Sequence, residues 1–167
     1  MRLDLRPVRP TDEQVVRDAH EQLRTDNFEF ALGLDNDMTW ADYIELLDQR
    51  LTEPPEPWVP STFLLAAVDG DIVGRTSIRH RLNDYLQEVG GHIGFGVLPM
   101  QRRRGYATEI LRQSIVIARS HGVDRVLVTC DEDNTASAQV ITRCGGVLEN
   151  IVDDPLGGPP TQRYWIT

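Results

Sequence analysis

Residues 101–108, QRRRGYAT, place three consecutive arginines directly before a glycine and a predicted helix. The backbone N–H groups of a first helical turn have no partner within the helix, and they lie at the positive end of the helix dipole. Phosphate groups bind at such helix starts, and arginine side chains add charge-assisted hydrogen bonds to phosphate oxygens. The segment therefore predicts a phosphate site, although the arginines alone also fit a solvated run of charge.

The overall charge argues against a broad nucleic-acid or membrane surface around these arginines. The 167 residues include 26 acidic and 17 basic side chains, which gives a formal net charge of −9 at pH 7. This balance disfavours binding to nucleic acid or anionic lipid, and it mildly favours a cationic ligand. We therefore expect the positive charge of residues 102–104 to serve one local anion, with no nucleic acid and no membrane as partner.

Several other kinds of site lack a motif in this sequence. The P-loop pattern is absent, and the glycines of GHIGFG are spaced unlike the dinucleotide fingerprint. No G-x-S-x-G occurs, and His20, His80 and His121 have neither metal-ligand nor triad spacing. Cys130 and Cys144 lie outside any ligand spacing and indicate reduced thiols. We expect no metal, no signal peptide, no membrane span and a cytoplasmic location.

The hydrophobic pattern predicts strands and helices that position these residues. Thr11 opens a T-x-x-Q capping box with Gln14, and Thr39 caps a second helix through T-x-x-D. The acidic segment between these two helices is either a loop over a pocket or a plain connector. The predicted elements are an edge strand over 3–9, helices over 11–24 and 40–51, a linker over 53–60, strands over 62–68, 72–82 and 92–97, a helix over 105–121, a strand over 125–130, a helix over 134–144, and strands over 147–152 and 162–167.

The order of these elements predicts an α/β fold with a mixed sheet. An Asp69-Gly70 turn joins two strands into an antiparallel hairpin, while residues 83–91 form a polar loop. The helix over 105–121 connects the strands over 92–97 and 125–130, so these two strands should be parallel neighbours. Helices then cover both faces of the sheet.

Two motifs lie on these elements in a fixed order. Residues 102–107 follow the strand over 92–97 and match R/Q-x-x-G-x-G/A. After the next strand, Asn134, Ser137 and Gly145 match an N-x-x-S helix that ends in a Gly-rich turn. Together these motifs resemble the GNAT superfamily of acetyl-CoA-dependent N-acetyltransferases, over roughly residues 61–167.

This resemblance implies a GNAT-like fold and acetyl-CoA as co-substrate. The fold has a central, mostly antiparallel sheet, one splayed parallel strand pair and helices on both faces. Residues 1–167 would form one domain, in which 1–60 shape the acceptor side and 61–167 hold the coenzyme. The pantetheine arm would pair with the backbone of the first splayed strand, and the arginine loop would hold the pyrophosphate. The implied coenzyme-binding residues are Phe95, Gly96, Val97, Arg102, Arg103, Arg104, Gly105, Tyr106, Ala107, Thr108, Asn134 and Ser137.

The resemblance also implies direct attack of an amine on the thioester. An alkylamine has a pKa of about 10, so a base or a water chain must remove a proton. Many family members place a glutamate where this sequence has His92, whose ordinary pKa of about 6.5 suits a base. Alternatively, His92 is a hydrogen-bonded strand histidine with no catalytic role. Glu88 is the second candidate base. The N–H of Val97 is the predicted donor to the oxyanion.

One position departs from the family pattern. The usual general acid is a tyrosine seven residues after the asparagine, and here that residue is Ile141. The proton for the leaving thiolate then comes from Ser137, Cys130, Tyr164 or water, and for Cys130 an inert thiol is the favoured interpretation.

The leading functional hypothesis is transfer of an acetyl group from acetyl-CoA to a primary amine of a small molecule or peptide. One alternative is an acyltransferase with a non-amine acceptor or a longer acyl group. Another is a catalytically silent CoA-binding regulatory module, for which Ile141 is the motivating feature. Acidic stretches at 26–37 and 131–133 either attract a cationic acceptor or are solvated faces. Homodimerisation through the C-terminal strands, frequent in the family, is left open.

Overall fold

The chain folds into two antiparallel sheets that share a hydrophobic core and meet through the main chain at His92 and Leu127. The computed structural model describes residues 2–167, and its sheets have the strand orders β1-β2-β3-β4 and β5-β7-β6. The strands are β1 (Leu3–Arg6), β2 (Ser61–Val68), β3 (Asp71–Arg79), β4 (Ile93–Val97), β5 (Val126–Asp131), β6 (Val147–Val152) and β7 (Thr161–Ile166). The α-helices are α1 (Glu13–Arg24), α2 (Trp40–Thr52), α3 (Tyr106–Ser120) and α4 (Thr135–Arg143).

The helices cover both faces of the sheets, as predicted. Alternate residues of a strand point to opposite faces, so β3 presents Thr76 and Ile78 to one side and its arginines to the other. On the first side the hydroxyl of Ser114 in α3 donates to Thr76 Oγ1 at 2.9 Å. The buried side chains of α1 and α2 pack with β2 on the second side, and this core comprises Val16, Ala19, Leu23, Phe30, Ala31, Leu34, Trp40, Tyr43, Leu65, Ala67 and Ile72.

The start of α1 differs from the prediction. The capping box of Thr11 and Gln14 is wrong, because Asp12 organises this turn instead. The Asp12 carboxylate accepts from the Arg9 N–H at 2.7 Å and from both terminal nitrogens of Arg6 at 2.8 and 2.9 Å. A tertiary ion pair with β1 therefore decides where the helix begins. For α2 the predicted cap is confirmed, since Thr39 Oγ1 accepts from the Asp42 N–H at 3.1 Å.

The segment between β3 and β4 also differs from the prediction. β3 ends at Arg79, and the predicted polar loop contains a π-helical turn over Leu86–Gly90. The Asn83 side chain begins this turn, because its Oδ1 accepts from the Leu86 N–H at 2.9 Å. Thr129 of β5 donates to the Val89 carbonyl at 2.7 Å and fixes the turn against the second sheet. Thr129 lies 40 residues from Val89 along the chain, so the local sequence does not predict this contact.

β4 and β5 form the predicted splayed pair. β4 pairs with β3 from Ile93 to Val97, and β5 pairs only with β7. No ladder of hydrogen bonds joins β4 to β5 within residues 2–167. The strands meet just before β4, where the His92 N–H donates to the Leu127 carbonyl at 2.7 Å. One edge of β4 is consequently unpaired beyond this point.

No helix in the described part of the chain combines the length and apolar character that crossing a bilayer requires; the longest, α3, has 15 residues.

Candidate active site

The start of α3 presents a row of unpaired backbone donors. Gly105 caps the helix with φ +83°, and Arg103 also has a positive φ of +63°. The first backbone bond of the helix runs from the Glu109 N–H to the Gly105 carbonyl. Within residues 2–167, the N–H groups of residues 103–108 donate to no acceptor. This loop therefore has the geometry of an anion site, built on its backbone.

The three arginine side chains before Gly105 are exposed. Arg102 donates from Nε to the Val97 carbonyl at 3.3 Å, and its Nη2 lies 3.6 Å from Asp26 Oδ2. Arg103 and Arg104 form no ion pair with the residues described. Their charge can therefore add to an anion site, whereas the directed donors are the backbone N–H groups.

The free edge of β4 lies beside this loop. The bonds from the Leu98 N–H to the Val73 carbonyl and from the Arg79 N–H to the His92 carbonyl fix the alternation along β4. Gly96 pairs with Arg75 of β3, so the main-chain groups of Phe95 and Val97 face the gap. Of the three residues expected to bind pantetheine, two therefore offer backbone donors and acceptors to it.

The asparagine motif forms the start of α4. Asn134 Oδ1 accepts from the Ser137 N–H at 3.2 Å and caps the helix. The Asn134 amide nitrogen and the Ser137 hydroxyl make no further hydrogen bond to the described chain, so both are free to bind a ligand. The Cys144 thiol lies 3.6 Å from the Thr108 carbonyl and connects the end of α4 to the first turn of α3.

His92 joins the two sheets at the narrow end of the gap. Its side chain is buried, and its Nδ1 accepts from the Leu127 N–H at 2.9 Å. Burial, reinforced by the charge of Arg79, lowers the pKa of the imidazole to about 4. The ring is therefore neutral at pH 7, with its proton on Nε2 and its lone pair bonded to Leu127. A neutral ring whose lone pair is already bonded is suited to holding the two strands together rather than to acting as a base.

Gly91 permits this junction. It has φ +66°, and a Cβ at this position would lie 2.7 Å from the Leu127 carbonyl oxygen. Any other residue would push β5 away from His92, so the close approach of the two strands requires glycine here.

Glu88, the second candidate base, lies on the exposed side of the turn Leu86–Gly90. It forms neither an ion pair nor a side-chain hydrogen bond within residues 2–167. The structure thus does not bring Glu88 and His92 into one hydrogen-bonded unit.

Two of the proposed proton donors, Tyr164 and Cys130, lie on the paired strands β7 and β5. The Tyr164 hydroxyl donates to Gln162 Oε1 at 3.0 Å, and the Cys130 thiol lies 3.7 Å from the same oxygen. Burial, with Asp131 nearby, raises the pKa of Cys130 to about 11, and burial also raises the pKa of Tyr164. Ile141, at the family's tyrosine position, is fully buried in the core beneath α4.

Sequence reasoning missed the two arginines of β3 and the loop that one of them holds. Arg75 is only 3% exposed, and it donates to the carbonyls of Phe30 at 3.0 Å, Gly94 at 3.0 Å and Glu29 at 2.7 Å. Its guanidinium carbon lies 4.4 Å from the centre of the Phe28 ring. The signal was the alternation of arginines on a central strand, where charged side chains are uncommon.

Nearly the whole chain matches one known family. A family model described as an acetyltransferase (GNAT) domain matches residues 2–147. The chain belongs to the GNAT acetyltransferase family. This GNAT chain is accordingly an acyltransferase, and the resemblance carried by residues 102–107 and Asn134 is confirmed. No curated protein matches it.

Three solved structures share the GNAT fold with this chain at low sequence identity. RimJ of Mycobacterium smegmatis, in complex with CoA-disulfide, has a TM-score of 0.74 and 18% identity, over 99% of this chain and 81% of that one. yncA of Salmonella typhimurium, with acetyl-CoA, has a TM-score of 0.68 and 14% identity, over 99% and 93%. Spermidine N-acetyltransferase of Vibrio cholerae, with CoA and spermine, has a TM-score of 0.70 and 12% identity, over 98% and 94%.

No cluster of three or more histidine, cysteine or carboxylate side chains suited to a metal ion occurs in the part of this GNAT domain that the structure describes.

Proposed function

We propose that this GNAT enzyme transfers the acetyl group of acetyl-CoA to a primary amine of a small molecule or peptide. The observation that carries the proposal is the unpaired edge of β4 beside the free N–H groups of residues 103–108. An extended pantetheine arm can pair with such an edge while its pyrophosphate lies at the start of α3. The amine attacks the thioester directly, in a ternary complex.

The donor site would use backbone groups more than side chains. Phe95 and Val97 offer the outward N–H and C=O groups of β4, and residues 103–108 offer the helix-start donors. Gly96 contributes by lacking a side chain, and Arg102, Arg103 and Arg104 add charge around the pyrophosphate. Asn134 and Ser137 would bond the pantetheine or the leaving thiolate with the groups that the helix cap leaves free.

The Val97 N–H would stabilise the oxyanion as the amine adds to the thioester. It faces the gap, and a backbone donor fixed by a sheet costs no reorganisation during the reaction. The oxyanion then collapses, the carbon–sulfur bond breaks, and the CoA thiolate leaves with the electron pair.

The amine proton would pass to water in the gap. The lone pair of His92 is bonded to Leu127, so the ring is better suited to donate from Nε2 than to accept a proton. On the leaving side, a thiolate has a pKa of about 8.5, below the raised pKa values of Cys130 and Tyr164. These two groups also direct their hydrogens to Gln162 Oε1, so water or Ser137 would protonate the thiolate.

The amine acceptor is supported by one of the similar structures. The V. cholerae enzyme is a spermidine N-acetyltransferase that holds CoA and spermine. The yncA structure, which holds acetyl-CoA, supports the same donor here.

Two measurements test the proposed function in sequence. Acetyl-CoA is titrated while the melting temperature is followed, and CoA thiol release is then measured with a panel of primary amines. Stabilisation with amine-dependent release supports the transferase. Stabilisation without release from any amine supports the catalytically silent CoA-binding module, and no stabilisation at all contradicts both.

A further inference from the structure

One face of the β3–β4 hairpin carries positive charge that the mechanism above does not use. Arg75, Ser77 and Arg79 are alternate residues of β3 and share the face opposite to α3. Across the ladder, Gly96 opposes Arg75 and Gly94 opposes Ser77. The missing side chains leave room for the Phe28 ring over Gly96 and for the Arg79 guanidinium over Gly94, on the strand pair that borders the proposed acetyl site. We call this surface the β3 basic face.

The two arginines of the β3 basic face are bonded differently. Arg75 donates from its Nε and both terminal nitrogens to backbone carbonyls, so its role is structural. Arg79 is half-buried and makes one side-chain hydrogen bond, from Nη1 to the Gly90 carbonyl at 3.3 Å. Its remaining N–H groups have no protein acceptor, yet no sealed side-chain nitrogen lacks a partner within residues 2–167. The free N–H groups of Arg79 therefore face space that solvent can reach.

Arg79 has no ion-pair partner among the residues described. No carboxylate of this part of the chain lies within 4.0 Å of its guanidinium, although the chain contains 26 acidic side chains. The side chain that acts on the Arg79 charge is the phenol of Tyr85, not a carboxylate. A half-buried guanidinium without a carboxylate partner keeps N–H groups that an anion from outside the chain can bind.

The guanidinium groups converge over Gly94. An ideal Cβ on Gly94 would lie 3.2 Å from Nη1 of Arg79 and 3.6 Å from Nη1 of Arg75. The hydroxyl of Ser77, opposite Gly94, makes no hydrogen bond to the described chain and is not sealed from solvent. A planar acid could therefore take a fork of donors from Arg79 and a further donor from Ser77.

We propose that the β3 basic face binds an acidic group of the acceptor, so that the acceptor is an amine that also carries a carboxylate. This inference rests on the proposed function and specifies its substrate class. Gly94 and Val97 are three residues apart on β4, which corresponds to about 10 Å. The acid and the reacting amine are then separated by several bonds, as in an ω-amino acid, and are not attached to one carbon. Local charge at the site overrides the mild preference for cations that the net charge implies.

The test compares 6-aminohexanoate with its neutral isostere 6-aminohexanamide. The wild-type enzyme is expected to use the acid with a kcat/KM at least about tenfold higher, the effect of one charge-assisted hydrogen bond. R79Q should remove this preference, and R79K should keep part of it. R81Q is the matched control, because Arg81 is exposed and makes no side-chain contact of its own with residues 2–167. An R81Q enzyme should retain the full preference.

A binding measurement without turnover separates this inference from the proposed function. With CoA saturating, calorimetry should detect 6-aminohexanoate binding to the wild-type protein and at least tenfold weaker binding to R79Q. Binding with no acetylation of any amine would support the β3 basic face and contradict the transferase. Equal use and equal binding of the acid and the amide would overturn the inference, and acetylation of the amide at the same rate would leave the transferase standing. If R79Q melts far below the wild type, R79K against R81Q decides the outcome.

Discussion

At the scale of the residue, His92 holds the two sheets together through Leu127 at one end of the gap. Both main-chain groups of Leu127 are bonded to His92, one to its ring and one to its backbone, so this residue determines where the gap begins. A base at the same position would need an unoccupied lone pair and a pKa near the working pH. The ring has neither, because Leu127 occupies Nδ1 and burial favours the neutral form.

Substitution of His92 separates a structural role, the hydrogen bond to Leu127, from a catalytic role as base. H92L leaves the buried Leu127 N–H without an acceptor and should lower the free energy of unfolding by about 1–3 kcal/mol in urea titrations. H92N places an amide oxygen near the position of Nδ1 and should cost less than half as much. The pH dependence of kcat/KM should have the same shape in H92N as in the wild type. A stable H92N enzyme that loses turnover and an inflection near pH 6–7 would restore His92 as the base.

At the scale of the element, Arg75 attaches the segment before α2 to the sheet. Its three hydrogen bonds reach Glu29 and Phe30 in this segment and Gly94 in β4. The Phe28 ring lies directly over Gly96, where a Cβ would collide with it. Residues 28–30, which cover one face of β4, thus depend on one buried guanidinium for their position.

Replacing Arg75 should loosen this attachment. R75M leaves three carbonyl groups without their donor, and we expect a loss of about 2–4 kcal/mol in the free energy of unfolding. Amide hydrogen exchange should also speed up in residues 28–31. R81M removes an exposed arginine just beyond the end of β3 and should change stability by less than about 0.5 kcal/mol. Equal stability of the two variants would show that the hydrogen bonds of Arg75 do not stabilise the fold.

At the scale of the whole molecule, one buried and two half-buried histidines should make stability depend on pH. Burial lowers the pKa values of His20, His80 and His92 in the folded state, the last from 6.5 to about 4. The unfolded chain therefore binds more protons between these pH values. The stability that the neutral histidines contribute is complete above about pH 6.5 and is lost as the pH falls toward 4. Urea midpoints measured across this range should decline, and H92N should reduce the decline. A midpoint that stays constant down to pH 4 would contradict these pKa shifts.

The sequence predicts the fold and the glycine turn before α3 well because both depend on local patterns. A continuous apolar run marks β2, and hydrophobic alternation marks β3. A threonine cap marks α2, and the glycine before α3 needs a positive φ. The features it does not predict depend on contacts between distant residues. Asp12 begins α1 because Arg6 holds it, and the role of His92 depends on Leu127, which lies 35 residues away.

Hydrogen exchange at single amides on CoA binding tests the central claim most directly. If the gap beside β4 and the start of α3 hold the coenzyme, the amides of Phe95, Val97 and residues 105–108 should exchange at least about tenfold more slowly with CoA bound. The Gly96 amide is the internal control, because it already pairs with Arg75 and should change little. Protection that leaves Phe95 and Val97 unchanged, or that appears on another surface, would contradict the account.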